Sequence, residues 1–290
     1  MTPESAMAAN RFLHDSSLGL LWGGLGYASF VARGPLAGRL VQRLDPMVSG
    51  CVAVAVVTTA SGFLISAANA TDAWSSVFDP ETLHLMAETD VGQAFAIQAV
   101  TAVALVVSTL LKAYRTSVAV TGLMLSELAL SGHATEGSGL AGLGHQATDI
   151  VHVLSGTAWL GALVPFVIVL RLSSVLDLQT PAIESLKRFS LAGHVAVALV
   201  LVSGLINVWL VHGRIWPDLS SRYDQELLLK MLAVGLMVIL AIVNRYVFVP
   251  MFGRDAARAR TCLLYGSLTE IFLGFIALGL VASFGLQDPV

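Results

Sequence analysis

Charge is what this chain has least of. Asp, Glu, Lys and Arg make up 12% of its 290 residues, while 56% are hydrophobic and the mean hydropathy is +0.79. A soluble domain carries about 25% charged residues, so this balance excludes an ordinary soluble globular protein. The missing motifs narrow the field further. No glycine-rich loop follows a strand pattern to cradle a phosphate, and no ATP-binding element is present. There is no nucleophile elbow, no pair of catalytic carboxylates, no basic face for nucleic acid, and no heptad or long-period repeat. Neither an enzyme nor a nucleic-acid partner is therefore the first expectation. Cysteine is limited to Cys51 and Cys262, both at inner ends of apolar runs, where a reducing compartment argues against a disulfide and makes packing the simplest role.

Long apolar runs are what the chain does have. A hydrocarbon core of about 30 Å takes roughly 20 apolar helical residues. Such runs predict eight spans, at 11–32, 47–70, 92–111, 113–132, 149–170, 188–211, 226–248 and 262–284. They are long and continuous, unlike the alternating segments of a barrel. The expected fold is an all-α integral membrane protein, a bundle of about eight transmembrane helices in one polytopic domain over residues 1–290. Twelve of the sixteen Lys and Arg fall in the first, third, fifth and seventh loops with their helix ends. Retention of basic residues on the cytoplasmic side then puts both termini on the opposite, outer face. That face has only Arg11, Arg214, Arg222 and Lys230, and its loop 71–91 holds Asp72, Asp79, Glu81, Glu88 and Asp90 with no Lys or Arg. The first span lacks the basic start and cleavage site of a removable signal, so it reads as a retained helix. Gly19 and Gly23 within it form a small-xxx-small packing signal.

Six of the seven histidines map to the outer side: His14, His84, His133, His145, His152 and His212. Three of them crowd the stretch "SGHATEGSGLAGLGHQATDIVH", residues 131–152, which reads as a glycine-rich loop between two spans. His14 and His152 lie inside apolar spans, where ionisable groups tend to face the bundle interior and mark functional paths. Asp149 and His152 stand three apart, so on a helix the carboxylate shares a face with the imidazole and is positioned to orient it. Glu127 lies about five residues inside the end of the fourth span, and Asp15 adjoins His14. A neutral imidazole backed by a carboxylate suits a borderline or soft metal, copper or zinc above all; the alternative is a structural hydrogen bond stapling the first, fourth and fifth spans. His84 and Met86, two apart among the acids of the outer loop, and His145 are possible accessory ligands. Deeper, His194 and Glu270 mark a possible inner path, with Glu270 either protonated, paired with His194, or part of ion movement. Asn207 and Asn244 punctuate the sixth and seventh spans, where asparagine is as often helix glue as pathway.

The segments "SGHA", "DIVHVLSGTAWLGALVPF", "RFSLAGHVAVALVLVSGLINVWL" and "YDQELLLKMLAVGLMVILAIVNR" follow one another in order. Across residues 126–246 they resemble the membrane domain of the CopD copper-resistance family. That resemblance implies a bacterial inner-membrane protein that handles copper ion delivered from the periplasm, alongside a small periplasmic copper-binding protein of the CopC type. No CopC-like domain is fused here. The family pattern highlights His133, His152, Trp159, Arg188, Phe189, Ser190, Gly204, Asn207, Lys230, Asn244 and Arg245, of which the histidines are the copper ligands to expect. Lys230 has Glu127 or Asp149 as possible partners, and Cys51 or Cys262 as a thiol exit for Cu(I) is a lesser alternative. The leading expectation is copper transport through an outer site of His14, His133 and His152, with Asp149 and Glu127 beside it. A second class stays open: a b-type haem electron-transfer protein or membrane metal reductase, with His14 and His152 at matching depth. A membrane scaffold or sensor without transport is the third.

Overall fold

A computed structural model of the chain describes residues 1–128, 139–214 and 221–286; it is all-helical, with no strand among the described residues. Helix α1 spans Pro3–Gly26. Thr2 caps it by accepting the Ser5 amide, and Pro3 sits in the first turn, where a missing N–H leaves no bond unmade. The helix runs on into a π-helical turn, Tyr27–Val31. At Gly34 φ is +58°, a conformation that glycine adopts without steric strain, and the chain reverses into α2, Pro35–Thr71. Leu36, Leu40, Leu44 and Val48 recur every four residues along α2 and are buried, whereas Arg39 and Arg43 lie exposed. The span expected at 47–70 is thus the second part of a helix whose amphipathic start a hydropathy window passes over.

The acidic segment that follows is structured. It holds a 3-10 turn at Trp74–Phe78 and helix α3, Pro80–Glu88, capped by Asp79, which accepts from the Thr82 amide at 3.1 Å. Next come α4, Asp90–Leu110, and α5, Tyr114–Leu128. Helix α6 covers Gly139–Leu172 and α7 covers Gln179–His212. Helix α8, Arg222–Val243, continues through a second π-helical turn, Asn244–Phe248, into the short α9, Val249–Met251. Helix α10, Ala256–Phe284, ends the described chain. Among the described residues eight helices reach fifteen residues or more, and each overlaps one expected span. Six of them, α2, α4, α6, α7, α8 and α10, are long and apolar enough to cross a membrane. The glycine-rich stretch departs from expectation, because residues from Gly139 onward, His145 included, belong to α6. Leu140, Ala141, Leu143 and Ala147 are good helix formers between the glycines, and the run they start is continuous with the apolar helix behind it.

Helix α1 lies at the centre, against α2, α5, α6 and α10; α7 packs on α6, α8 on α10, and α4 on α2 and α5. The core is built from Leu18, Leu21 and Leu25 of α1, the leucine row of α2, and Leu170 of α6. Outside, Leu191, Val195, Val202, Leu232, Leu236 and Ile239 are exposed. An apolar exterior of that extent matches hydrocarbon rather than water.

The tightest seam is between α1 and α6. A Cβ placed on Gly161 would lie 2.1 Å from Gly19 O, and one on Gly23 would lie 2.5 Å from the Ala162 amide nitrogen. The helices therefore meet backbone to backbone. Gly161→Ala is expected to destabilise the bundle by about 1–3 kcal/mol, the range for overpacking. Gly235→Ala, where the added methyl meets nothing within 4 Å, is expected to be neutral or slightly stabilising. Thermal unfolding of both variants in one detergent checks this, and equal midpoints would refute the seam's importance.

Candidate metal site

Helices α1 and α6 run in the same direction. Gly19 faces Thr157 and Gly161, and Gly23 faces Gly161 and Ala162, so residue numbers rise together along both. His14 stands five residues before Gly19, and His152 five before Thr157, about 7.5 Å back along each axis. The two histidines share one depth.

Each ring is held through Nδ1. His14 is buried, with Nδ1 2.8 Å from Thr58 Oγ1 on α2. The Thr58 hydroxyl donates to Val54 O at 2.7 Å, so the ring nitrogen is the donor between them. His152 is half-buried, and its Nδ1 donates to the Val200 carbonyl on α7 at 3.1 Å, with Ser203 Oγ at 3.2 Å. A carbonyl only accepts. Both imidazoles therefore carry their proton on Nδ1 and keep a lone pair on Nε2, the arrangement that backbone or hydroxyl partners impose on metal-binding histidines. His14 Nε2 is buried and meets no hydrogen-bond partner among the described residues. Gly204 leaves space for the other ring, since a Cβ there would sit 3.0 Å from His152 Cε1.

The carboxylates are placed differently from the sequence expectation. Asp149 accepts from Asn207 Nδ2 at 3.0 Å and is electrostatically coupled to Lys230; it does not bond His152. The Val200 carbonyl supplies the orienting contact instead, because α7 packs directly against this face of α6. Lys230 acts on Asp149 through space, with no direct ion pair to Asp149 or Glu127 among the described residues, and its Nζ lies 5.9 Å from the Phe284 ring centroid. Glu127, on α5, is buried; Thr101 Oγ1 donates to its Oε2 at 3.4 Å, while Oε1 has no partner among the described residues. His133 lies outside the described residues. Among those described, no three His, Cys, Asp or Glu side chains converge as a group that could hold a metal ion.

The accessory candidates are dispersed. His84 pairs with Glu88 at 3.5 Å on the exposed side of α3, and Met86 Sδ receives the Thr89 hydroxyl at 3.6 Å. Two Thr82 donors hold the Asp79 carboxyl below the usual carboxylate range. His145 lies on α6 one turn before Asp149. His194 is exposed, bonded to Ser190 O at 2.6 Å and 3.3 Å from the Tyr246 hydroxyl. It is not paired with Glu270. That carboxyl, 2% exposed, accepts from Asn244 Nδ2 at 2.6 Å, and the Trp159 side chain acts on it from α6. Gly266 makes room, as a Cβ there would meet Asn244 Oδ1 at 2.3 Å.

Several contributors carried no advance signal. Thr58, Val200 and Ser203 look like ordinary helix residues, and only the packing of α2 and α7 brings them to the imidazoles. A second cluster was also unread. His212 Nε2 lies 3.5 Å from Asp224 Oδ1, and Arg214 bonds Asp224 Oδ2 at 3.0 Å, tying the end of α7 to the start of α8. Two ionisable residues at one helix end and an acid at the next helix start were the available hint.

Comparison with known proteins bears on this geometry. Residues 1–143 match the family model described as copper resistance protein D-like, N-terminal domain, and residues 183–284 match that of copper resistance protein D. The stretch between them holds most of α6. The chain is 28% identical over 284 residues to inner membrane protein YebZ of Escherichia coli K12, covering 97% of each. It is 36% identical over 176 residues to copper resistance protein D of Pseudomonas syringae pv. tomato, covering 58% of this chain and 57% of that protein. It is 29% identical over 241 residues to copper transport protein CutJ of Bacillus subtilis strain 168, covering 77% of this chain and 43% of that one. No solved structure matches.

The Glu270 contact gives a direct test of buried polar pairing. Asn244→Leu leaves the carboxyl without its amide donor and is expected to cost about 1–3 kcal/mol. Adding Glu270→Leu is expected to restore most of that loss. Thermal unfolding of the single and double variants measures it, and a double variant no more stable than the single would refute the pairing.

Proposed function

The chain belongs to the CopD copper-resistance family, and from that premise we propose that it moves or passes on copper as cargo across the inner membrane of a bacterium, accepting the ion on the periplasmic side. One observation carries the reading: two imidazoles at one depth on the central helix pair, each oriented through Nδ1, with His14 Nε2 buried and without a partner among the described residues. A dry nitrogen lone pair with no donor beside it suits a borderline or soft ion such as copper. His14 and His152 are the ligands we assign, His133, outside the described residues, is the third, and Glu127 offers a carboxyl oxygen with no hydrogen-bond partner among the described residues.

In this reading all eight long helices span the bilayer, with both termini in the periplasm. Twelve of sixteen basic residues then lie at the cytoplasmic ends, in keeping with retention of positive charge. The acidic α2–α4 connection, bearing His84 and Met86, faces the compartment in which a CopC-like protein presents copper. The protein acts as a carrier rather than an enzyme. Without an ATP-binding element, net movement draws on a gradient, on proton coupling or on an accepting partner. Glu270 is the candidate for a deeper step; His194, exposed beside Tyr246, lies off that path. A b-type haem between His14 and His152 needs a macrocycle-wide slot, whereas the helices bearing them are in backbone contact about 7.5 Å further along.

Metal analysis with an optical spectrum, on detergent-purified protein exposed anaerobically to Cu(I), tests the proposal. His14→Ala and His152→Ala are expected to lose most of the copper that wild type retains, while His145→Ala keeps it, and no Soret band appears. Equal copper in all four proteins would remove the site. A Soret band lost with His152→Ala would make the histidines haem ligands.

A further inference from the structure

The turn joining α1 to α2 borders a cavity of about 460 Å³, lined in part by Ser29, Phe30, Arg33, Gly34, Ala37 and Arg115. It lies at the end of the bundle away from His14. Two guanidiniums meet there, and the described residues offer neither an ion pair nor a hydrogen bond. Two like charges at one cavity repel, so an anion between them lowers the energy of both. The contrast with Arg188 of α7, which reaches the same turn, is sharp: its Nε donates to Val31 O at 2.8 Å, and Glu184 lies 3.7 Å from its Nη1. Asp45 acts electrostatically on Tyr114, next to Arg115, yet pairs with neither arginine.

Arg115 is held in place by the Phe30 ring, 5.7 Å from its guanidinium carbon to the centroid. That leaves its N–H fork free for a bidentate oxyanion. Helix α2 begins beside it at Pro35 with no side-chain cap, adding the positive end of a 37-residue helix. The surroundings are amphipathic. Phe30 is 56% exposed, and Leu110 and Leu111, just before Lys112 and Arg115 in the sequence, are 77% and 73% exposed. Cationic forks beside exposed apolar side chains at a helix-bundle end mark the level where headgroups meet hydrocarbon.

We propose that this cavity is a phosphate-binding site that takes the headgroup of an anionic phospholipid, with Arg33 and Arg115 clasping the phosphate and Phe30 flanking the acyl chains. The site stands apart from the copper reading and does not depend on it. Native mass spectrometry of the full chain in detergent, titrated with phosphatidylglycerol, phosphatidylcholine or inorganic phosphate, tests it. Wild type is expected to retain phosphatidylglycerol well above phosphatidylcholine. Arg33→Gln with Arg115→Gln is expected to weaken that retention about 30-fold, from about fivefold per arginine. Arg39→Gln with Arg43→Gln, an equal change of charge on α2 outside the cavity, is expected to retain the lipid. Arg33→Lys with Arg115→Lys keeps the charge and is expected to retain an intermediate share, which separates recognition from misfolding. Inorganic phosphate that binds alone with the same dependence on Arg33 and Arg115 would keep the phosphate site and assign it a free anion. Undiminished phosphatidylglycerol on the Arg33/Arg115 double variant, or equal loss in the Arg39/Arg43 control, would overturn the proposal.

Discussion

The backbone contact between α1 and α6 is the constraint on which the rest depends. Gly19, Gly23 and Gly161 remove side chains at one seam, so the two helices approach until carbonyl and Cα touch. In a bilayer no hydrophobic force draws helices together, and close van der Waals packing of this kind is among the few forces that can. The contact fixes a register as well as a distance. Trp22 Nε1 donates to Leu154 O at 2.9 Å across the same seam, and Gly122 of α5 admits the Trp22 ring from the other side. Three helices are thereby locked around one tryptophan, and His14 and His152 inherit their common level from that lock.

Around this centre the polar groups work as sideways ties. Asn10 donates to Thr58 O at 3.0 Å and accepts from Ser61 Oγ at 2.7 Å, joining α1 to α2 just where His14 also reaches Thr58. Arg11 Nη1 donates to Gly285 O at 2.8 Å, anchoring α10 beside the start of α1. Asp149 with Asn207, and His152 with Val200, do the same between α6 and α7. Most ionisable or amide groups near the His14 level thus have a partner on the next helix. Against that background His14 Nε2, Glu127 Oε1 and Asn207 Oδ1 stand out, buried with no hydrogen-bond partner among the described residues.

Much of the fold could be read from the sequence, since a long apolar run has few options in a membrane. Each of the eight expected runs overlaps a long helix among the described residues, and six of those helices are long and apolar enough to cross a membrane. Boundaries were legible only where hydropathy and helix coincide. Helix α1 starts at Pro3, eight residues before the expected span, because Thr2 and Pro3 are start signals that an apolar window ignores. Helix α6 starts at Gly139, ten residues before the expected span, because the Leu and Ala between the glycines sustain a helix where glycine alone signals a loop. At the site, residue types were legible but partners were not. The spacing of Asp149 and His152 correctly placed both on α6 near one face, yet it could not say that α7 presents a carbonyl to one and an amide to the other. The seam glycines were legible as a packing signal, while Gly161, which meets them, was hidden inside "WLGAL".

Helix α6 links two polar levels of the bundle. His152 holds the first, and Trp159, seven residues on and so about 10.5 Å deeper at two turns, neighbours Glu270 at the second. That second level is itself irregular: Asn244 begins a π-helical turn, and its contact with Glu270 exists because Gly266 yields the space. Local π-turns relax the helical ladder and concentrate where a side chain must be re-aimed. The same device occurs at Tyr27–Val31, where the Tyr27 hydroxyl accepts from Ser185 Oγ at 3.0 Å. Both departures from regular helix therefore serve side chains that bond across helices inside an apolar bundle. One rigid helix connecting the levels means that a shift of α6 at His152 is carried to Trp159, and so to the contact that holds Glu270.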